Sequence, residues 1–100
     1  MAVERSDVSD DIRHQADGTG GRFHIPVEGG DAEVTYRLGG GVMIIDRTFV
    51  PPPARGGDFA MRLVRRAVEE AAARGFKVDP RCSYVARVFD FMPEWAALRA

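Results

Sequence analysis

The stretch of sequence that decides the fold is VMIIDRTFVPPPARGGDFAMRLVRRAVEEAAARGFKVD, residues 42–79. It begins with Val42–Val50, whose apolar run is typical of a strand covered on both faces. Three prolines and a glycine-containing loop follow, and from Asp58 to Arg74 the apolar residues recur at helical spacing. A glycine then ends the helix, and Phe76–Asp79 is a short strand. Because a helix joins the two strands, a right-handed crossover sets them parallel and adjacent.

Two further strands precede this unit, and one helix follows it. Phe23–Val27 and Ala32–Leu38 both alternate apolar and polar residues, and glycine-rich turns separate the three consecutive strands. Ser83–Phe91 again has apolar residues at helical spacing. The sequence therefore predicts an α/β (α+β) fold. We expect a four-stranded mixed sheet, an antiparallel meander followed by a βαβ unit, with helices packed on it.

The first 21 residues differ in composition from the rest. They contain five acidic residues against two basic ones, few apolar residues, and a glycine-rich end at Gly18–Gly21. Such a segment buries too little apolar surface to offset its ordering entropy. We expect a flexible acidic tail over residues 1–21 and one folded domain over residues 22–100. A short helix over Asp10–His14 is the alternative for the tail.

The whole-chain composition excludes several classes of protein. The chain has 100 residues, a formal net charge of -1 and no concentrated basic patch, which predicts no binding to nucleic acid. Its longest apolar run, Val42–Ile45, is too short to cross a bilayer, and no secretory signal opens the chain, so we expect a cytoplasmic protein that does not bind membranes. One cysteine and two histidines ten positions apart predict no metal site.

Four segments resemble the short, single-domain branch of the GNAT N-acetyltransferase superfamily, in the same order and with similar spacing. They are Asp46-Arg-Thr-Phe-Val-Pro-Pro52, Arg55-Gly-Gly-Asp-Phe-Ala60, Pro80-Arg-Cys-Ser-Tyr-Val85 and Pro93-Glu-Trp95. The resemblance runs from about Arg22 to Trp95. It implies binding of acetyl-coenzyme A in a cleft where two parallel strands splay apart, and acetyl transfer to a primary amine on a small molecule or a protein.

The resemblance also implies roles for individual residues. In the family, a loop of pattern Arg/Gln-x-x-Gly-x-Gly/Ala presents backbone N–H groups to the cofactor's pyrophosphate, and a helix amino end beside glycines is suited to an anion. The implied cofactor-binding residues are Phe49, Val50, Arg55, Gly56, Gly57, Asp58, Phe59 and Ala60. Cys82 falls near the thioester end of the cofactor and is the candidate catalytic residue. Its alternative role is that of a small buried side chain.

This sequence departs from the family pattern at two positions. Asp58 replaces the middle glycine of the loop, and Arg47-Thr48 replaces the usual His-Thr on the third strand. Asp is a favoured N-cap residue, so we expect the Asp58 carboxylate to accept hydrogen bonds from the first free N–H groups of the helix. Those are the donors that a pyrophosphate needs. The second functional hypothesis is therefore a non-catalytic GNAT-like domain that binds a protein or small ligand, with Asp58 closing the phosphate site.

Overall fold

The computed structural model describes residues 11–100, which form one five-stranded sheet and two α-helices. The strands are β1 (Arg13–Ala16), β2 (Gly20–Val27), β3 (Gly30–Gly39), β4 (Val42–Phe49) and β5 (Lys77–Pro80). The helices are α1 (Phe59–Ala73) and α2 (Ser83–Phe91), and two short 3-10 helices cover Pro52–Ala54 and Pro93–Leu98.

The order of the strands in the sheet follows their order in the chain. The pairs β1–β2, β2–β3 and β3–β4 are antiparallel, and β4–β5 is parallel, with α1 as the crossover. This confirms the α+β class, the antiparallel meander and the βαβ unit. The sheet has five strands rather than the predicted four because β1 is added to its outer edge.

β1 corrects the interpretation of residues 11–21 as a flexible tail or as a short helix. Arg13–Ala16 pairs in register with Gly21–His24 of β2. The His14 ring stacks on the ring of Phe23, with centroids 4.0 Å apart. All four residues of β1 are exposed, so the segment lacks the apolar alternation that marks a strand in a sequence. The remaining residues of the predicted tail, 1–10, lie outside the described residues.

One hydrophobic core lies between α1 and one face of the sheet, and it extends to α2 and Trp95. From the strands it contains Phe23, Ile25, Ala32, Val34, Tyr36, Met43, Ile45 and Val78. From the helices it contains Leu63, Val64, Ala67, Val68, Ala71, Val85, Val88 and Phe89. The alternating strand residues face the opposite side and are mostly charged, as the period of two requires. On that side the sheet carries ion pairs rather than a core.

A bulge in β4 opens the sheet where the site lies. Tyr36 of β3 pairs with Ile45, but Thr35 pairs with Arg47, so Asp46 is an extra residue in β4. The pairing of β4 with β5 ends at Ile45 and Pro80. Within residues 11–100, the part of β4 that follows Ile45 pairs with β3 alone. Beyond that point no strand pairing among the described residues joins β4 to the chain that leaves β5, and this break in the ladder, beside which Cys82 lies next to Thr48, is the gap.

Candidate active site

A cavity of about 420 Å³ lies between the end of β4, the loop after it, and the first turns of α1 and α2. The residues that line it are Thr48, Phe49, Val50, Ala54, Arg55, Gly56, Gly57, Phe59, Ala60 and Tyr84. Seven of the eight residues predicted to bind the cofactor are among them, and Asp58 is the exception. The crossover through α1 returns the chain to the edge of β4 on which pairing with β5 has ended. Residues of β4, α1 and α2 therefore meet at this cavity.

The loop end of the cavity is rich in hydrogen-bond donors. Gly56 has a φ of 95°, a conformation that glycine adopts without the strain a Cβ would cause. The Nε of Arg55 donates a hydrogen bond of 2.7 Å to the carbonyl oxygen of Val50, and its guanidinium lies 5.7 Å from the ring centroid of Phe49. These contacts hold a cationic side chain in the cavity wall.

The first turn of α1 is not capped by a side chain, which corrects the prediction for Asp58. Asp58 occupies the N-cap position, but its carboxylate makes no capping hydrogen bond, and only its carbonyl oxygen accepts from the N–H of Arg62, at 2.9 Å. Its ψ of 15° lies outside the extended region that directs a capping side chain back over the turn. The side chain is exposed and does not line the cavity. The first N–H groups of the helix, including those of Phe59 and Ala60, are therefore not occupied by this carboxylate.

Cys82 lies next to Thr48, outside the residues that line the cavity. The N–H groups of Arg81 and Cys82 both donate to the carbonyl oxygen of Ile45, each at 3.0 Å, and this contact turns the chain from β5 into α2. The Cys82 sulfur, half-buried at the N-cap of α2, donates a hydrogen bond of 3.7 Å to the hydroxyl oxygen of Thr48. Thr48 lines the cavity, so its hydroxyl group links the Cys82 sulfur to the cavity.

The environment of Cys82 favours its thiolate. Burial raises the pKa of the thiol, but once ionised the sulfur accepts hydrogen bonds from the N–H of Val85, from the Thr48 hydroxyl, which then donates, and from the N–H of Tyr84, and these lower the pKa. The net result is a pKa below the ordinary value of 9.0. A helix amino end stabilises a thiolate in this way through its free N–H groups and the positive end of the helix dipole.

Sequence reasoning missed Tyr84 as part of the cavity. Apolar residues at helical spacing suggested that this side chain lies in the core, but it is half-buried and lines the cavity opposite Phe59 and Ala60. Trp95, by contrast, packs in the core, 5.2 Å from the ring centroid of Phe89. Whether Tyr84 lies in the core or in the cavity wall depends on how α2 packs against β4, which only the tertiary structure shows.

The family model described as GCN5-related N-acetyl-transferase matches residues 22–98, well over half of the chain. The chain belongs to this family. The match includes β4, the loop, both helices and Cys82, and so the whole cavity wall of this GCN5-related N-acetyltransferase domain. A comparison with curated proteins finds no match. Among the described residues of the domain, no helix has the length and apolar character needed to cross a bilayer.

Proposed function

We propose that this domain transfers the acetyl group of acetyl-coenzyme A to a primary amine. The observation that carries the proposal is a cavity lined both by an uncapped helix amino end and by Thr48, which contacts Cys82. The family membership supports the same reaction class. Because the two ends of the cavity differ in chemistry, they favour one direction for the bound cofactor.

The loop end suits the pyrophosphate of the cofactor. Anions bind at helix amino ends because the unpaired N–H groups and the helix dipole both favour negative charge. Here Gly56, Gly57 and the first turn of α1 line the cavity, and the Arg55 guanidinium is held beside them. The first turn of α1 contains no acidic residue, and the side chain of Asp58, which precedes it, does not line the cavity. The thioester then lies at the opposite end, near Thr48.

The chemistry needs little more than positioning. Acetyl-coenzyme A supplies an activated acetyl group: the amine nitrogen bonds to the carbonyl carbon, the C–S bond breaks, and the proton lost by nitrogen ends on the sulfur of coenzyme A. The open edge of β4 presents backbone N–H groups that stabilise the oxygen as it becomes negative. Holding the two reactants together in the gap supplies the rest of the acceleration.

Besides Tyr84, which lines the cavity, Cys82 is a group that holds a proton close to the cavity wall. Its hydrogen bond to Thr48 connects it to the cavity wall, and the helix amino end allows it to release a proton more readily than an ordinary thiol. In this role the Cys82 thiol gives its proton to the departing coenzyme A thiolate through the Thr48 hydroxyl, and the proton lost by the amine later restores it. The net proton balance of the reaction is unchanged.

The second hypothesis, a non-catalytic ligand-binding domain, rested on Asp58 occupying the phosphate donors. The carboxylate makes no capping bond and does not line the cavity, so this specific support is gone. The test of the proposed function has two parts. Calorimetry should show saturable binding of acetyl-coenzyme A, and a thiol-release assay with a primary amine should show turnover that depends on both reactants. Binding without turnover on any amine would favour the non-catalytic hypothesis.

A further inference from the structure

The cavity reaches both faces of the sheet at the end of β4, because Thr48 pairs with Val34 of the core face, Phe49 pairs with Glu33 of the opposite face, and both Thr48 and Phe49 line the cavity. Beyond Ile45 the strand has β3 on one side and, among residues 11–100, no strand on the other. Phe59 and Ala60 of α1 and Tyr84 of α2 line the same cavity as Thr48. An acceptor bound on the opposite face therefore meets the cavity at Phe49, next to Arg47.

Arg47 stands at the edge of this opening. It precedes Thr48 in β4, and because side chains alternate, it points away from Cys82 and toward the opposite face. Its guanidinium lies 5.2 Å from the ring centroid of Phe49, which lines the cavity. The Arg47 side chain is 57% exposed, so a ligand can reach it.

Part of the Arg47 guanidinium is held in place, and part is available. Its Nη1 donates to one oxygen of Glu33, and the other oxygen of Glu33 accepts from Arg22 at 2.7 Å. Glu33 thus shares its charge between two guanidinium groups. A guanidinium has five N–H donors in a planar fork that matches a carboxylate. Among residues 11–100, Glu33 is the only hydrogen-bond acceptor seen for Arg47, so most of the fork is open to a ligand.

The surrounding charges alternate in sign. Among residues 11–100 the acidic groups on this face each lie near an arginine: Asp31 near Arg22, Glu33 near Arg22 and Arg47, Asp46 near Arg37, and Asp79 near Arg81. A purely cationic or purely anionic ligand meets repulsion from half of these groups. A ligand that carries both charges finds partners for each.

We infer that the acceptor is a primary amine that also carries a carboxylate, and that Arg47 selects it by binding that carboxylate at the edge of the gap. The inference rests on the proposed function, since it names the acceptor for the same site.

The test uses full-length protein, acetyl-coenzyme A and matched acceptors: glycine, β-alanine and 4-aminobutyrate, each compared with its uncharged carboxamide. At least one of the amino carboxylates should exceed its amide in kcat/KM by about tenfold, the usual size of one charge-assisted contact. Arg47→Gln should remove this difference through KM, with kcat and the affinity for acetyl-coenzyme A unchanged. Arg47→Lys should retain part of it.

Arg37→Gln is the matched control. Arg37 lies on the same face, is 63% exposed and also pairs with a carboxylate, that of Asp46, but it belongs to β3 and does not border the gap. It should leave the preference intact. In Arg47→Gln, Glu33 keeps its bond to Arg22, so no carboxylate is left without a partner.

Three results would overturn the inference while the proposed function stands. The first is an equal kcat/KM for each amino carboxylate and its carboxamide. The second is a preference for the carboxylate that Arg47→Gln retains. The third is a loss of affinity for acetyl-coenzyme A in Arg47→Gln. Binding of acetyl-coenzyme A with transfer to none of the amino carboxylates would overturn it as well. Failure to bind acetyl-coenzyme A at all would refute the proposed function and this inference together.

Discussion

The sulfur of Cys82 lies 3.7 Å from the hydroxyl oxygen of Thr48, although 34 positions separate the two residues in the chain. One stands near the end of β4 and the other at the amino end of α2. The N–H groups that follow β5 donate to the carbonyl oxygen of Ile45, and the chain then turns into α2 beside β4. This turn brings Cys82 next to Thr48. This contact links a polarised thiol to the wall of the cavity.

Replacing Cys82 tests whether this link matters for acetyl transfer. Cys82→Ala and Cys82→Ser should each lower kcat by about a hundredfold, the lower end of the range for a positioned acid or base. Calorimetry should show an unchanged affinity for acetyl-coenzyme A, because Cys82 does not line the cavity. Full activity in a folded Cys82→Ala protein would assign Cys82 to packing alone.

The reactivity of the thiol tests its environment separately. Because the pKa of Cys82 lies below 9.0, its thiolate population rises at lower pH than that of a free cysteine. The rate of labelling by iodoacetamide should therefore reach half its maximum below pH 9.0. Thr48→Val removes one of the stabilising hydrogen bonds, so the midpoint should move upward. A midpoint that Thr48→Val leaves in place would show that this bond does not act on the thiol.

A negative charge in the loop should weaken cofactor binding. A Cβ at Gly57 would meet only ordinary contacts, at 3.9 Å or more, so Gly57→Asp should fold while placing a carboxylate in the cavity wall. We expect its affinity for acetyl-coenzyme A to fall by about a hundredfold, since like charges ~5 Å apart at an effective dielectric of about 20 repel by roughly 3 kcal/mol.

Gly39→Asp is the control for that change. A Cβ at Gly39 meets no atom within 4 Å, and the residue lies at the far end of β3. Its affinity for acetyl-coenzyme A should equal that of the unaltered protein. Equal losses in both variants would mean that net charge, rather than the loop, determines the binding.

Asp58→Ala should have little effect on stability. An N-cap that makes its side-chain bond contributes about 1 kcal/mol, but the Asp58 carboxylate makes none. We expect the free energy of unfolding, measured in urea, to change by less than about 0.5 kcal/mol, as for an ordinary surface substitution. A loss of about 1 kcal/mol or more, on the order of a full cap, would show that the carboxylate caps α1 in solution.

Removing β1 should destabilise the domain. Deletion of residues 1–17 takes away four paired residues, the stacking of His14 on Phe23, and the 2.6 Å contact between His14 Nε2 and the Tyr36 hydroxyl. The last two together are worth on the order of 1–2 kcal/mol, so Tm should fall by about 5 °C or more relative to a protein that begins at residue 11. A shift of less than about 2 °C would mean that β1 adds nothing to the folded domain.

Local patterns in the sequence determined most of the secondary structure. The alternation over β2 and β3, the apolar run of β4 and the helical spacing of α1 are set by side chains that must face a core, and such patterns are readable residue by residue. The parallel pairing of β4 and β5 followed because only one handedness of crossover is favourable. The loop residues of the cavity were likewise identified from their glycines and their position before a helix.

Only the tertiary structure decided the features that depend on a distant partner. β1 is a strand because the free edge of β2 and the ring of Phe23 are there to receive it, and nothing in Arg13–Ala16 itself demands one. The side chain of Asp58 leaves α1 uncapped because its ψ is fixed by the loop, although its residue type favours a cap. The pairing of Cys82 with Thr48, and the opening beside Arg47, arise from a one-residue bulge at Asp46 and the splay beyond it. Their physical cause is the packing of one strand against another, which no short stretch of sequence encodes.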